Sequence, residues 1–280
     1  AAPSASATAS ARRLPPAAAG SAAIRVRKLA PSKPRYGEPS WHPRSEAVLV
    51  SYGADDKHTV LIFHPDGKAP AVIGPFTVVA GRTVTGTLYG KPMYSEIYPF
   101  SARFAPDGGH AAVAYGDRVE LWDAATHKRV AKLEAKGARR VAAVSPDNSM
   151  LALGMEDTRG NDWVGVWRVS DGKLLARAPD ILVETAGFSS DGQRLTIKGS
   201  GNVTSLDLKA GKVVRETGLP TSGTWPSAVS PDGRHAVYAH NGHEVFVVAV
   251  ATGAKRALLE APSPGGSMHH INQLRFSHDS

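Results

Sequence analysis

Aspartates at nearly even intervals constrain this chain more than anything else in it. Asp107, Asp147, Asp191, Asp232 and Asp279 follow one another at steps of 40, 44, 41 and 47 residues. The residues around them repeat as well: "FAPDGGHAAVAY" from Phe104, "AVSPDNSMLALG" from Ala143, "GFSSDGQRLTIKG" from Gly187, "AVSPDGRHAVYA" from Ala228 and "RFSHDS" from Arg275. "SWHPRSEAVLVSYG", from Ser40, is a weaker early copy. A self-similar period in the low forties marks a repeat architecture, whose unit cannot bury its apolar surface alone and stacks on its neighbours.

A second element recurs in phase with the first. "VLIFHPDGK" (60–68), "VELWDAATHK" (119–128), "VGVWRVSDGK" (164–173), "VTSLDLKAGK" (203–212) and "VFVVAVATGAK" (245–255) each run from an apolar, β-rich segment into a short turn. Four of these turns carry Gly-Lys or Gly-Ala-Lys and one carries His-Lys. Gly supplies the positive φ of a tight reversal, and β-branched and aromatic residues suit a pleated, half-buried surface. Pro presets φ for the Pro-Asp-Gly turn, and its Asp bonds its own backbone. Each unit therefore reads as four antiparallel strands: an inner one ending at that turn, a small-residue strand, a Val-rich strand, and an outer strand such as "RVAKLEA" (129–135). Radial stacking of such units predicts an all-β fold, a β-propeller of four-stranded blades.

The period, the Ser-Pro-Asp-Gly turn and "VELWD", with Trp122-Asp123 closing a third strand, resemble the WD-repeat β-propellers over about residues 40–280. The bacterial TolB-like propellers are a related alternative. Trp-Asp is present once, Trp167-Arg168 matches half of it, and the Gly-His pair expected ahead of the inner strand is missing. The resemblance implies a protein-interaction scaffold. The blades are expected at about 36–76, 99–137, 138–183, 184–222 and 223–262, with a partial sixth at 271–280 and an inserted loop at 77–98. The chain ends just after an inner strand has begun. An unpartnered edge there leaves backbone groups unsatisfied, so a continuation of the parent chain is expected. "AIRVRKL" (23–29) is the candidate outer strand of that last blade.

The chain carries +8, but the charge is uneven. Residues 1–45 hold eight basic side chains against Glu38, a net +7, whereas the other 235 residues hold 25 basic and 24 acidic ones, a net +1. A near-neutral propeller lacks the basic stripe that nucleic acid requires. No cysteine is present, which excludes disulfides and thiolate chemistry, and no run of 18 apolar residues predicts a membrane span. Residues 1–35 read as a basic tail. Its first 23, rich in Ala, Ser and Pro, hold too few large apolar groups to offset the entropy of ordering, so disorder is expected. Such a segment follows a removed secretory signal or links domains; export to the periplasm or beyond is the expectation, a cytoplasmic location the alternative.

Function in repeat scaffolds resides in loops that break the repeat. Three do, all predicted on the face where chains enter the inner strands. Residues 77–98 hold Tyr89, Tyr94 and Tyr98, large and stiff side chains suited to partner contact. "MEDTRGNDW" (155–163) ends in Trp163; its acids do not follow the spacing of a calcium loop. "APSPGGSMHHINQ" (261–273) holds Met268 and His269; the adjacent histidines point to opposite sides of an extended segment, poor geometry for one metal ion. Nucleophile-elbow, phosphate-loop and H-E-x-x-H signatures are absent. The expectation is a non-catalytic module that binds a protein or peptide partner through Tyr89, Tyr94, Tyr98, Trp163, Met268 and His269, without a cofactor. The alternatives are a propeller enzyme with its site at the channel mouth, the propeller half of a prolyl-oligopeptidase-like hydrolase, or a sensor module tethered to an effector.

Overall fold

Each repeat folds as its turn chemistry dictates. In the first turn of four successive units, the residue after the aspartate takes a left-handed conformation: Gly108 (φ 71°), Asn148 (φ 58°), Gly192 (φ 68°) and Gly233 (φ 68°). Each returns its N–H to the carbonyl three residues back, on Ala105, Ser145, Ser189 and Ser230. Asp107, Asp147 and Asp191 accept backbone N–H groups just beyond the turn, as an Asx turn requires. The second reversal repeats the device with Gly67, His127, Gly172, Gly211 and Gly253, all at positive φ.

The computed structural model describes residues 35–36, 39–44, 46–54, 57–78, 81–88, 91–97, 100–199, 203–215, 227–230, 233–240, 244–260, 274 and 276. Blade 1 holds β1 (Arg35–Tyr36), β2 (Ser40–Trp41), β3 (Val48–Ala54), β4 (Lys57–Phe63) and β5 (Ala71–Thr77). Its inner strand is split, since β1 and β2 both pair along β3. A hairpin follows, β6 (Gly81–Leu88) with β7 (Lys91–Ile97). Blade 2 holds β8 (Phe100–Phe104), β9 (His110–Tyr115), β10 (Arg118–Asp123) and β11 (Arg129–Glu134), and blade 3 holds β12 (Ala138–Val144), β13 (Met150–Glu156), β14 (Asp162–Arg168) and β15 (Leu174–Pro179). Blade 4 holds β16 (Val183–Phe188), β17 (Arg194–Gly199), β18 (Val203–Asp207) and β19 (Lys212–Arg215). Blade 5 holds β20 (Ser227–Val229), β21 (His235–His240), β22 (Glu244–Ala249) and β23 (Lys255–Glu260). Pairing within every blade is antiparallel and sequential, inner to outer.

The sheets succeed one another as propeller blades, each inner strand beside the next: β2, β8, β12, β16, β20. Leu274 and Phe276, from the sixth repeat's opening, pack on Ala228, Val237 and Val245 of blade 5. The expected disorder and returning strand of residues 1–34 lie outside the described residues. Among those described there is no helix, and none long and apolar enough to cross a membrane.

A strand buried on both faces reads as a continuous apolar run, which is why "HAAVAY" lacks polar alternation. Ala111, Val113 and Tyr115 turn towards Leu49, Ile62 and Phe76 of blade 1. Ala112 and Ala114 turn the other way, with Val119 and Leu121, towards Leu151, Leu153 and Trp167 of blade 3. Blade 3 presents Ala152, Val164 and Val166 to Phe188, Leu195 and Ile197 of blade 4.

Side chains also tie the junctions. Backbone N–H groups of Phe104 and Val141 donate to the Ser40 and Ser101 hydroxyls of the preceding blades, at 3.0 and 3.3 Å. Arg103 donates to the Ala142 carbonyl, Arg140 to the Val183 carbonyl at 3.2 Å, and Thr196 Oγ1 to the Gly233 carbonyl at 3.0 Å. At the turns, Asn148 Nδ2 donates to Asp107 Oδ2 at 2.6 Å, and His110 Nδ1 lies 2.7 Å from the same oxygen. His110 is thus held at the junction of blades 2 and 3. Burial works against ionisation of Asp107, but its bonds to His110 and Asn148 prevail and hold its carboxyl below the usual range.

Two left-handed residues should therefore respond oppositely to glycine. His127 bears the steric cost of its φ without a compensating side-chain bond among the described residues, so His127→Gly should stabilise by about 1 kcal/mol. Asn148→Gly relieves the same strain but removes the bond to Asp107, a charge-assisted contact worth about 1.5–3 kcal/mol when sheltered, and should destabilise. Thermal melting of the two variants reads the sign of each.

Candidate functional site

Antiparallel order sends the β9–β10 turn, the β13–β14 loop and the links entering each inner strand to one end of the blades. The hairpin β6–β7 leaves from this end, just after Thr77. The predicted long loop is thus a two-stranded hairpin with Tyr94 opposite Val84. Of the other residues expected to bind a partner, Tyr89, Tyr98, Met268 and His269 lie outside the described residues.

Trp163 lies within them. It lines a crevice of about 870 Å³ between blades 2 and 3, together with Thr77 at the hairpin's root, Tyr115, Arg118, Arg139, Glu156 and Arg177. Gly165 makes its geometry possible. Trp163 and Trp167 flank it on one face of β14, their rings 5.6 Å apart, and a Cβ at Gly165 would meet Trp167 at 2.3 Å and Trp163 at 2.8 Å. Trp167 fills the core while Trp163 stays half-exposed, with the Arg177 guanidinium 4.3 Å from its ring centroid. A cation over an indole face is attracted by the ring quadrupole.

On the other side of blade 2, where Tyr115 and Trp122 pack against Phe76 of blade 1, lies an ionic network that the sequence reading did not identify. Glu120, only 2% exposed, accepts from the Tyr115 hydroxyl at 2.7 Å, the Trp122 indole at 3.0 Å and Arg129 at 2.9 Å. Burial, then the bond to Glu120, pushes the Tyr115 phenol up to about 12, so it stays a neutral donor at physiological pH. Trp122, the tryptophan of "VELWD", therefore directs its indole N–H to Glu120. The signal in sequence was a lone glutamate inside an apolar strand, with a tyrosine five residues before it and an arginine nine after.

The acids of "MEDTRGNDW" divide into separate tasks. Asp157 closes its own loop, accepting from Asn161 Nδ2 and from the Arg159 and Asn161 amides; the Asn161 bonds hold its carboxyl below the usual range. Glu156 pairs with Arg139. Asp162 lies directly across the strand pair from Glu156, and like charges so placed repel. Burial, then Glu156, raises the Asp162 carboxyl, with Arg139 opposing. Among the described residues no group of three or more His, Asp or Glu is arranged to hold a metal ion.

A second cavity, of about 490 Å³, opens among the inner strands of blades 1–3. Arg103, Arg139, Arg140, Ser51 and Ser101 line it, with Trp41 at 61% exposure.

No protein-family profile and no curated protein matches the chain. Among solved structures it is similar to hydrazine synthase from Kuenenia stuttgartiensis, with 17% identity and a TM-score of 0.44 over 76% of this chain and 76% of that one.

The acidic pair across β13 and β14 makes a directional prediction. A carboxyl whose folded pKa is raised binds its proton more tightly in the native state, so its ionisation opposes folding above that pKa. Asp162→Asn should melt at a higher temperature than the parent at neutral pH. The difference should shrink as pH falls through the folded pKa of Asp162 and vanish below the ordinary carboxylate range, in melts across pH 3–8.

Proposed function

We propose that this chain is a WD-repeat-type propeller serving as a non-catalytic docking module, and that it takes an extended segment of a protein partner into the crevice between blades 2 and 3. The observation that carries this reading is the half-exposed Trp163, stacked under Arg177 at the rim of that crevice and beside the root of the inserted hairpin. Tryptophan and arginine in a partly desolvated recess are the residue types that dominate binding energy at protein interfaces. Cations (Arg118, Lys136, Arg177) and carboxylates (Asp117, Asp157) both border the space, which suits a peptide of mixed charge better than a polyanion. The rigid blades supply a fixed platform, and the hairpin adds a flank that the regular repeat lacks.

Capture of a partner by the immobilised chain, read by mass spectrometry, tests this. Replacing residues 80–97 by a short Gly-Ser link should abolish capture, and Arg177→Glu should reduce it at least fivefold. Arg177 is exposed on β15, so its melting temperature should stay near the parent's. Undiminished capture by both variants overturns the assignment.

A further inference from the structure

The crevice between blades 2 and 3 is bordered by charges of both signs, but the two signs are not equally available. Given the docking role assigned to that crevice, on which this rests, we propose that the partner segment presents an aspartate or glutamate side chain. The Arg177 guanidinium receives that carboxylate.

The carboxylates that border the space are already engaged. Asp117 accepts the Gly137 amide at 3.0 Å. Asp157 accepts the Arg159 and Asn161 amides and Asn161 Nδ2, and Glu156 pairs with Arg139. Among the cations, Arg118 faces Glu134 at 3.8 Å. The Arg177 guanidinium, by contrast, has no carboxylate or carbonyl partner among the described residues, and its contact is the indole of Trp163. Lys136, at the same border, has no ionic partner among them either. The groups left unpaired are therefore cationic, and an acidic side chain complements them.

Strand register gives Arg177 its position. It stands directly across the β14–β15 pair from Gly165, where no side chain blocks its path. It extends diagonally to Trp163, two residues along, and its Cζ sits 4.3 Å from the ring centroid. Diagonal neighbours in an antiparallel pair are within reach of long side chains. The indole takes the face of the guanidinium, and the N–H donors in the guanidinium plane remain for an oxyanion. A planar fork held in this way meets a carboxylate through two parallel bonds and loses little rotamer freedom. A polyanion would also meet Asp117, Glu156 and Asp157. A single acid within a segment of mixed charge meets less of that repulsion.

Panning a random peptide library, displayed on phage, against the immobilised full chain tests this. Peptides displayed through their C-termini carry no terminal carboxylate, so any acid they share is a side chain. The enriched peptides should share an aspartate or glutamate at one register. An amidated synthetic copy of the strongest binder then serves as the probe in titration calorimetry. Changing its acid to lysine should weaken binding about tenfold, the worth of a charge-assisted bond, and Arg177→Glu should do the same. Combining the two changes should recover most of the loss, because the new pair is again of opposite sign. Arg177→Lys keeps the charge without the fork and should bind the original peptide more weakly than the parent does. Lys209→Glu makes a charge change on the β18–β19 turn, at the opposite end of the blades, and should leave binding unaltered. Failure to enrich any peptide overturns the docking reading and the carboxylate assignment together. Enriched peptides without a shared acid, or a swapped pair that recovers nothing, overturn the carboxylate assignment alone. So does an equal loss in Lys209→Glu, which would report diffuse charge instead of a site.

Discussion

Adjacent blades share no backbone ladder among the described residues; what joins them is the meeting of two apolar sheet faces. Everything else in the molecule follows from that constraint. A middle strand must be apolar on both sides, because each side belongs to a different junction, so Ala111 and Ala112 serve different neighbours one residue apart. Small and large residues are apportioned across each interface: the alanines of β9 receive Leu151, Leu153 and Trp167, while Ala152 and the valines of β14 receive Phe188 and Ile197. The polar ties are few and short in reach, and they hold neighbouring faces in register.

The parts legible in the sequence are those determined within one unit. The turn aspartates, the residues at positive φ and the apolar third strands depend on local backbone geometry, and local geometry repeats with the unit. Trp163 was also legible, as the aromatic end of a loop that breaks the repeat. What escaped notice depends on a neighbouring strand or blade. Glu120 has meaning only once Tyr115, Trp122 and Arg129 converge on it. Arg103 and Arg140, some forty residues apart, are equivalent in use because each reaches a carbonyl on the following blade. Asn148 combines the turn's φ with a bond across the junction. His110 takes part in the same junction.

Polar strain is concentrated at one end of the blades. The Glu156–Asp162 opposition and the cation above Trp163 both lie near the end from which the hairpin departs. At the other end, the carboxylates of Asp147 and Asp191 accept bonds from their own turns and are satisfied locally.

The split inner strand of blade 1 and the inner strands of the others each terminate a sheet, so one row of backbone amides in every blade looks inward without a partner strand. Solvent has to satisfy those that neighbouring side chains, such as the Ser40 and Ser101 hydroxyls, do not reach. Protection from water thus runs tangentially, from blade to blade, and falls off towards the axis. The geometric middle of the molecule is among its wetter regions, and deuterium should reach amides there sooner than those sealed midway between two sheets.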